Sequence, residues 1–209
     1  MIGRVSNLGK TCLALALVAG SLFGNMVTEA EGGDSDDRAF LSDEGLYSED
    51  FMVRENVDLR RALDDAAAAD KRLVVFWERK NCGYCEDTHL INLAVPTIRQ
   101  YLIENYVAVQ INIWGDKPVV DFDGEALSEE ELSIKYGTRS TPTFTFYPET
   151  IGDFEGRTGA RAEVLRMPGY IPPGLFAIML NFIRDGAYET LDFVDYVDAR
   201  LLGLQMSDP

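Results

Sequence analysis

Histidine and cysteine are scarce in this chain. It carries one histidine, His89, and three cysteines, Cys12, Cys82 and Cys85, among 209 residues. A closed structural zinc site takes four ligands. Cys82, Cys85 and His89 supply three at helical spacing, so zinc would need a carboxylate or a second chain to complete its shell. Basic residues are also in short supply, with 19 Lys and Arg against 35 Asp and Glu and a net charge of −16. Phosphate recognition needs a basic face, which excludes nucleic acid as a partner. The acid surplus reads as a solvated, self-repelling surface. Internal repeats and low-complexity tracts are absent, so one domain is expected from about residue 51 to residue 209. The remaining balance, 46% hydrophobic and 26% charged, suits a soluble domain with a full core.

The first 30 residues read as an export signal. Arg4 and Lys10 make a positive start, and Thr11 to Gly24 is apolar and uncharged. Thr28-Glu29-Ala30 then offers cleavage near Ala30. The apolar run is short for a bilayer span, a retained anchor being the alternative. Cys12 lies within this segment, and the residues before it, Lys10-Thr11, are not those of a lipoprotein signal. Cleavage would leave the exported chain with only Cys82 and Cys85. Exported proteins use cysteines to close long loops. A pair separated by two residues closes almost no loop, so its value lies in chemistry. Residues 31 to 50, rich in Asp, Glu, Gly and Ser, read as a flexible acidic lead-in.

The element order that follows is α/β. Asn56 is placed to cap a helix running to about Lys71. Leu73 to Trp77 (LVVFW) suits a buried central strand. Cys82 to about Tyr101 reads as a helix kinked at Pro96. Val107, Val109, Ile111 and Ile113 alternate with less apolar residues as a strand. Residues 115 to 127 are rich in turn formers, and Ser128 with Glu131 forms a capping box for a short helix to Tyr136. Thr143 to Tyr147 and Ala162 to Met167 read as strands close enough for an antiparallel hairpin. Pro172-Pro173 opens a helix with Phe176, Met179, Leu180 and Ile183 on one face. A last helix is expected over residues 188 to 202, with packing as its default role.

The chemistry concentrates at Cys82. A cysteine that follows a strand and opens a helix faces first-turn N–H groups with no intrahelical partners, where the dipole favours a thiolate. Arg79 and Lys80 add positive charge, partly offset by Glu78. Cys85 lies one turn later, near enough to resolve a mixed disulfide. His89 reads as an exposed or partly packed helix residue, with proton transfer as a minor role. Pro142 opens the TFTFY strand, where either a cis or a trans peptide bond is compatible with the spacing. Asp121-Phe122-Asp123-Gly124 with Glu125 does not meet EF-hand spacing and reads as an acidic turn. Trp77 and Trp114 fit core or rim positions, and Tyr170 and Phe176 read as packing residues.

The strand LVVFW, Cys82-Gly83-Tyr84-Cys85 and Thr141-Pro142-Thr143 together resemble the thioredoxin superfamily over roughly residues 55 to 186. The resemblance implies a thioredoxin fold, with a central mixed sheet flanked by helices. An insert precedes the cis-proline strand and an extra helix follows at the C-terminus. It also implies a cis Pro142 beside the cysteine pair, with Thr141 pairing its backbone to an extended substrate chain and Gly83 and Tyr84 contributing to substrate contact. The acidic insert WGDKPVVDFDGEALSEEEL, the segment Arg166-Met167-Pro168-Gly169-Tyr170 and the helix containing Phe176 look like those of SoxW-type periplasmic thioredoxins. Gly156-Arg157 is a weaker match.

There are two departures from that pattern. Phe76 stands where cytoplasmic-type thioredoxins carry a buried Asp, and Glu78 is the candidate to handle protons instead. Gly83-Tyr84 with Thr141 is similar to disulfide isomerases of the DsbC type. The implied activity is thiol-disulfide exchange, chiefly reduction of protein disulfides, with Cys82 as nucleophile and Cys85 as resolver. Isomerase or oxidase action, or a non-enzymatic thiol or metal carrier, are the alternatives. No cofactor is required, a monomer is expected, and a membrane electron donor of the DsbD or CcdA kind is implied as partner.

Overall fold

The structure, a computed structural model, describes residues 39–151 and 159–203. The export signal, Cys12, residues 31–38 of the lead-in and Gly156-Arg157 lie outside the described residues. The centre of the fold is a four-stranded mixed sheet whose strands lie side by side in the order 106–112, 72–78, 143–146 and 165–168. β4 (Arg72–Glu78) and β5 (Tyr106–Asn112) run parallel, in register from Arg72 opposite Tyr106 to Glu78 opposite Asn112. β8 (Thr143–Phe146) lies antiparallel to β4, with Thr143 opposite Trp77. β9 (Leu165–Pro168) closes the far edge antiparallel to β8.

Both faces of this sheet are covered, which explains why β4 is apolar on consecutive residues. On one face, Val74 and Phe76 of β4, Tyr106 and Ala108 of β5 and Phe144 and Phe146 of β8 share a core with α3 (Pro96–Asn105) and α6 (Pro173–Arg184). Phe144 meets Phe76 and Phe176 edge-on, with ring centres 5.0 and 5.4 Å away. On the other face, Leu73, Val75, Trp77, Val109 and Ile111 pack with α1 (Leu59–Ala68) and Leu132 of α4 (Glu129–Lys135). The buried residues of α1, Leu59, Ala62, Leu63 and Ala66, recur at three- and four-residue spacing, which turns one stripe toward the sheet. Trp77 donates its indole N–H to Thr145 Oγ1 at 2.9 Å, so this large side chain is buried with its polar atom satisfied.

Several boundaries differ from the sequence expectation. Asp58, not Asn56, caps α1, its carboxylate accepting the Arg61 N–H at 2.9 Å. Asn56 has φ +50°, outside the extended conformation an N-cap takes. The helix expected from Cys82 to Tyr101 is three pieces: α2 (Gly83–Asp87), a π-helical turn (Thr88–Asn92), and α3, which starts afresh at Pro96. Pro96 is therefore a first-turn proline, where its missing N–H breaks no bond, and not a kink. The turn-rich stretch holds a hairpin, β6 (Pro118–Val120) with β7 (Ala126–Ser128), and β6 also pairs with β3 (Val57–Asp58). The Ser128–Glu131 capping box of α4 is present. Ala162 ends α5 (Gly159–Ala162), so the strand expected from Ala162 starts only at Leu165; it does form the antiparallel pair with β8. The last helix, α7, spans Phe193–Leu201 with Asp192 as its cap. It packs through Tyr196 and Phe193 against Phe182, at ring centres 5.1 and 5.3 Å apart.

Residues 39–50, read above as part of a flexible lead-in, are folded. β1 (Phe40–Leu41) and β2 (Tyr47–Ser48) pair antiparallel, Leu46 and Ser48 are buried, and Val53 bridges to Val109 at the edge of β5. The acidic composition masked this, because its buried contacts are made by single residues without strand periodicity.

Candidate active site

The C-terminal ends of β4 and β5 mark the end of the sheet where the chemistry-bearing residues gather. Cys82 follows β4 after a three-residue turn and is the N-cap of α2, in extended conformation at φ −109°. Cys82 and Cys85 are joined by a disulfide, with Cα atoms 5.2 Å apart. The Cys82 sulfur accepts the Cys85 N–H at 3.2 Å, and the Cys82 carbonyl accepts the N–H groups of Cys85 and Glu86 at 3.1 and 3.0 Å. A sulfur so placed meets a first-turn donor and the positive end of the helix, the setting that stabilises a thiolate once the bond is reduced. The two sulfurs are unequal. Cys82 is half-buried, whereas Cys85 is 4% exposed. An incoming chain therefore reaches Cys82 first.

Pro142 stands at the same end. Thr143 pairs opposite Trp77 near the exit of β4, and the Thr141–Pro142 peptide bond is cis. The loop after β9 ties this proline to the cysteine turn. Gly169 N–H donates to the Pro142 carbonyl at 2.7 Å, and the next residue, Tyr170, stacks on Tyr84 with ring centres 6.0 Å apart and planes inclined by 15°. Tyr170 Oη donates to Asn92 Oδ1 at 3.0 Å, and Asn92 Nδ2 donates to the Ile171 carbonyl at 2.8 Å, which fixes the stack from below. Thr141 is half-buried, and no backbone hydrogen bond within the described residues uses it. Tyr84 is 62% exposed and Gly83 is open, so the dipeptide between the cysteines lies at the surface.

Behind the disulfide the sheet changes character. The face that carries Val74 and Phe76 continues to Glu78, and the face of Tyr106 and Ala108 continues to Gln110 and Asn112. Glu78 is 1% exposed and His89 is 1% exposed, so the expectation of an exposed or partly packed histidine does not hold. His89 lies one turn beyond Cys85 on the buried side of the helical segment. Its Nε2 is 3.1 Å from Glu78 Oε2 and its Nδ1 is 3.1 Å from Glu49 Oε1. Gln110 Nε2 donates to the Tyr47 carbonyl at 2.7 Å and to Glu78 Oε2, and Arg99 pairs with Glu49 at 3.4 Å and with Asp50 at 2.8 Å. Burial disfavours a charged imidazole. The Glu78 charge, hydrogen bonds to both glutamates and the Glu49 charge outweigh it, and His89 is raised to about 9. It is thus a cation held between two carboxylates. Glu78 keeps one buried oxygen, Oε1, without a hydrogen-bond partner among the described residues.

These positions decide two other readings. Both ring nitrogens of His89 are engaged and the cysteine sulfurs are bonded to each other, so the three do not converge as zinc ligands. In the acidic turn, Lys135 Nζ lies 2.6 Å from Asp121, 2.8 Å from Asp123 and 2.8 Å from Glu125, an internal cation in the position a metal ion would take. The sequence reading missed Glu49, Gln110 and the burial of His89. The available signal was the switch from apolar to polar residues at the last same-face positions of β4 and β5.

The profile of a thioredoxin-like domain family matches residues 59–184, more than half of the chain. The chain belongs to the thioredoxin-like family. No curated protein matches it. Among solved structures it is similar to a thioredoxin-fold protein from Helicobacter pylori, at 25% identity over 69% of this chain and 92% of that one, with a TM-score of 0.47. It is also similar to a thioredoxin from Thermus thermophilus, at 24% identity over 63% of this chain and 85% of that one, with a TM-score of 0.43. The family and the adjacent cysteine pair support a redox function in general.

Proposed function

We propose that this thioredoxin-like protein is a thiol-disulfide oxidoreductase that reduces protein disulfides in the periplasm. One observation carries the reading: a cysteine pair at the start of a helix, with the first cysteine half-buried and the second fully buried. In the reduced protein the Cys82 thiolate attacks one sulfur of a substrate disulfide. A mixed disulfide forms and the other substrate sulfur leaves as a thiolate, which takes up a proton. Cys85 then loses its proton and attacks the Cys82 sulfur, releasing the second substrate thiol. Two electrons pass to the substrate, and the protein is left with the Cys82–Cys85 disulfide. A membrane donor of the DsbD or CcdA kind restores the dithiol.

Thr141 and Pro142 form the substrate platform, with Gly83 and Tyr84 beside it. The unused backbone groups of Thr141 suit pairing with an extended chain. Glu78 is the proton-handling residue, since its unpartnered Oε1 is a buried acceptor behind a pair whose inner thiol must lose a proton. The apolar start of the chain, with a cleavage point near Ala30, and the likeness to SoxW-type thioredoxins support the periplasmic setting. Reduction of insulin disulfides by the purified protein tests the reading. Turnover that disappears in Cys82→Ser supports it. Turnover equal in that variant, or a dithiol too oxidising to reduce insulin, overturns it in favour of a carrier or of an isomerase or oxidase.

A further inference from the structure

Among the described residues the acid surplus ties up many of the cations. Lys117, Lys135, Arg166, Arg184 and Arg200 are each tied to a carboxylate. The turn that leads into Cys82 carries cations that are not tied in this way. Arg79 donates to the carbonyls of Lys80 and Asn81 at 3.1 and 3.3 Å and lays its guanidinium over the Trp114 ring at 4.6 Å. Neither Arg79 nor the exposed Lys80 has a carboxylate partner among the described residues. Arg139, also exposed and without one, leads into Thr141 and Pro142. Trp114 is 55% exposed although it follows the buried Ile113, and Arg79 is stacked on one face of its ring. The acidic residues of α2 lie beside Tyr47 and Tyr170. Glu86 accepts the Tyr47 hydroxyl at 3.2 Å, and the charge of Asp87 acts on Tyr170.

We infer that the end of the sheet carrying Arg79, Lys80 and Trp114 at the cysteine turn and Arg139 in the loop before Pro142 is a docking surface for acidic polypeptide, and selects substrates with Asp or Glu beside the reactive disulfide. This rests on the thiol-disulfide reading and adds its substrate class. The aromatic ring offers contact area at low entropic cost, and the cations without carboxylate partners supply the sign. The net charge of the chain does not reverse this preference at contact, because charges farther away than about 8 Å are screened at physiological ionic strength.

The test separates docking from redox chemistry. Peptides with serine in place of cysteine, flanked by Glu or by Gln, are titrated against the full-length protein, with the change in tryptophan fluorescence, to which exposed Trp114 responds, as the readout. The Glu peptide is expected to bind roughly five- to tenfold more tightly, from about three exposed ion pairs. The ratio should fall toward unity in about 1 M salt. Arg79→Gln/Lys80→Gln/Arg139→Gln should abolish the ratio. The charge-matched Arg72→Gln/Arg184→Gln/Arg200→Gln, at the opposite end of the sheet, should keep it. Equal binding of the two peptides, or equal loss of the ratio in both triple variants, overturns the inference. A preserved ratio together with an absence of insulin reduction would instead overturn the redox reading and leave the docking surface standing.

Discussion

Replacing His89 by glutamine removes the cation between two buried carboxylates while keeping a hydrogen-bonding side chain of similar reach. The magnitude follows from the rise of the His89 pKa from 6.5 to about 9 on folding. A tenfold change in proton affinity is worth ~1.4 kcal/mol, so protonated His89 contributes about 3 kcal/mol to the folded state. The sign is that of a group raised on folding. The contribution is complete below the unfolded value of 6.5 and is lost as pH rises through about 9. Urea denaturation of the wild-type protein at pH 6 and pH 9.5 should therefore show stability falling by about 3 kcal/mol, beyond what a His89→Gln protein loses over the same interval. Glu129 does not confuse the result. Burial raises its carboxyl to about 7, so its contribution also falls as pH rises through about 7, and the part lost above pH 6 is common to wild type and His89→Gln and cancels in the comparison. The reasoning is refuted if wild type and His89→Gln lose the same stability between pH 6 and 9.5. His89→Leu is harsher. It removes the cation between Glu49 and Glu78 and leaves Glu78 without one, Glu49 keeping Arg99, and a loss of ~3–5 kcal/mol at pH 7 is expected in the same assay.

Two further perturbations follow from the described geometry. Glu78→Gln should slow insulin reduction at neutral pH by on the order of tenfold to a hundredfold, with the rate recovering at alkaline pH where Cys85 ionises unaided; a variant matching wild type at every pH removes Glu78 from proton handling. Gly159→Ala would drive a methyl group into the Tyr136 hydroxyl and set it 2.9 Å from a ring carbon of Phe122. A loss of ~1–3 kcal/mol in thermal or chemical denaturation is expected, and an unchanged midpoint contradicts the packing described there.

The main elements were legible because each combined a period with a boundary signal. LVVFW is too short and too β-branched for a helix, Ser128 and Glu131 announce their own helix, and Pro172-Pro173 opens α6. The cysteine pair was legible for a chemical reason, since an isolated two-residue spacing has little structural use. Positions settled by distant partners were not legible. His89 is buried because Glu49 and Glu78, 40 and 11 residues away, converge on its two nitrogens. A single histidine between a threonine and a leucine carries no mark of that. Glu49 lay in a stretch whose acidity suggested solvent, yet its charge is answered by Arg99 and His89. The split at Pro96 was missed because the apolar pattern runs on through Leu93 and Val95, while a proline at the first helical position and a proline kink look alike in sequence.

The most direct measurement is capture of the intermediate. Cys85→Ser removes the resolving sulfur, so the reduced variant mixed with a disulfide-bonded protein should accumulate a covalent adduct. Mass spectrometry should locate it at Cys82, and dithiothreitol should release it. Absence of any adduct with Cys85→Ser, or an adduct of equal yield with Cys82→Ser, would contradict attack by Cys82.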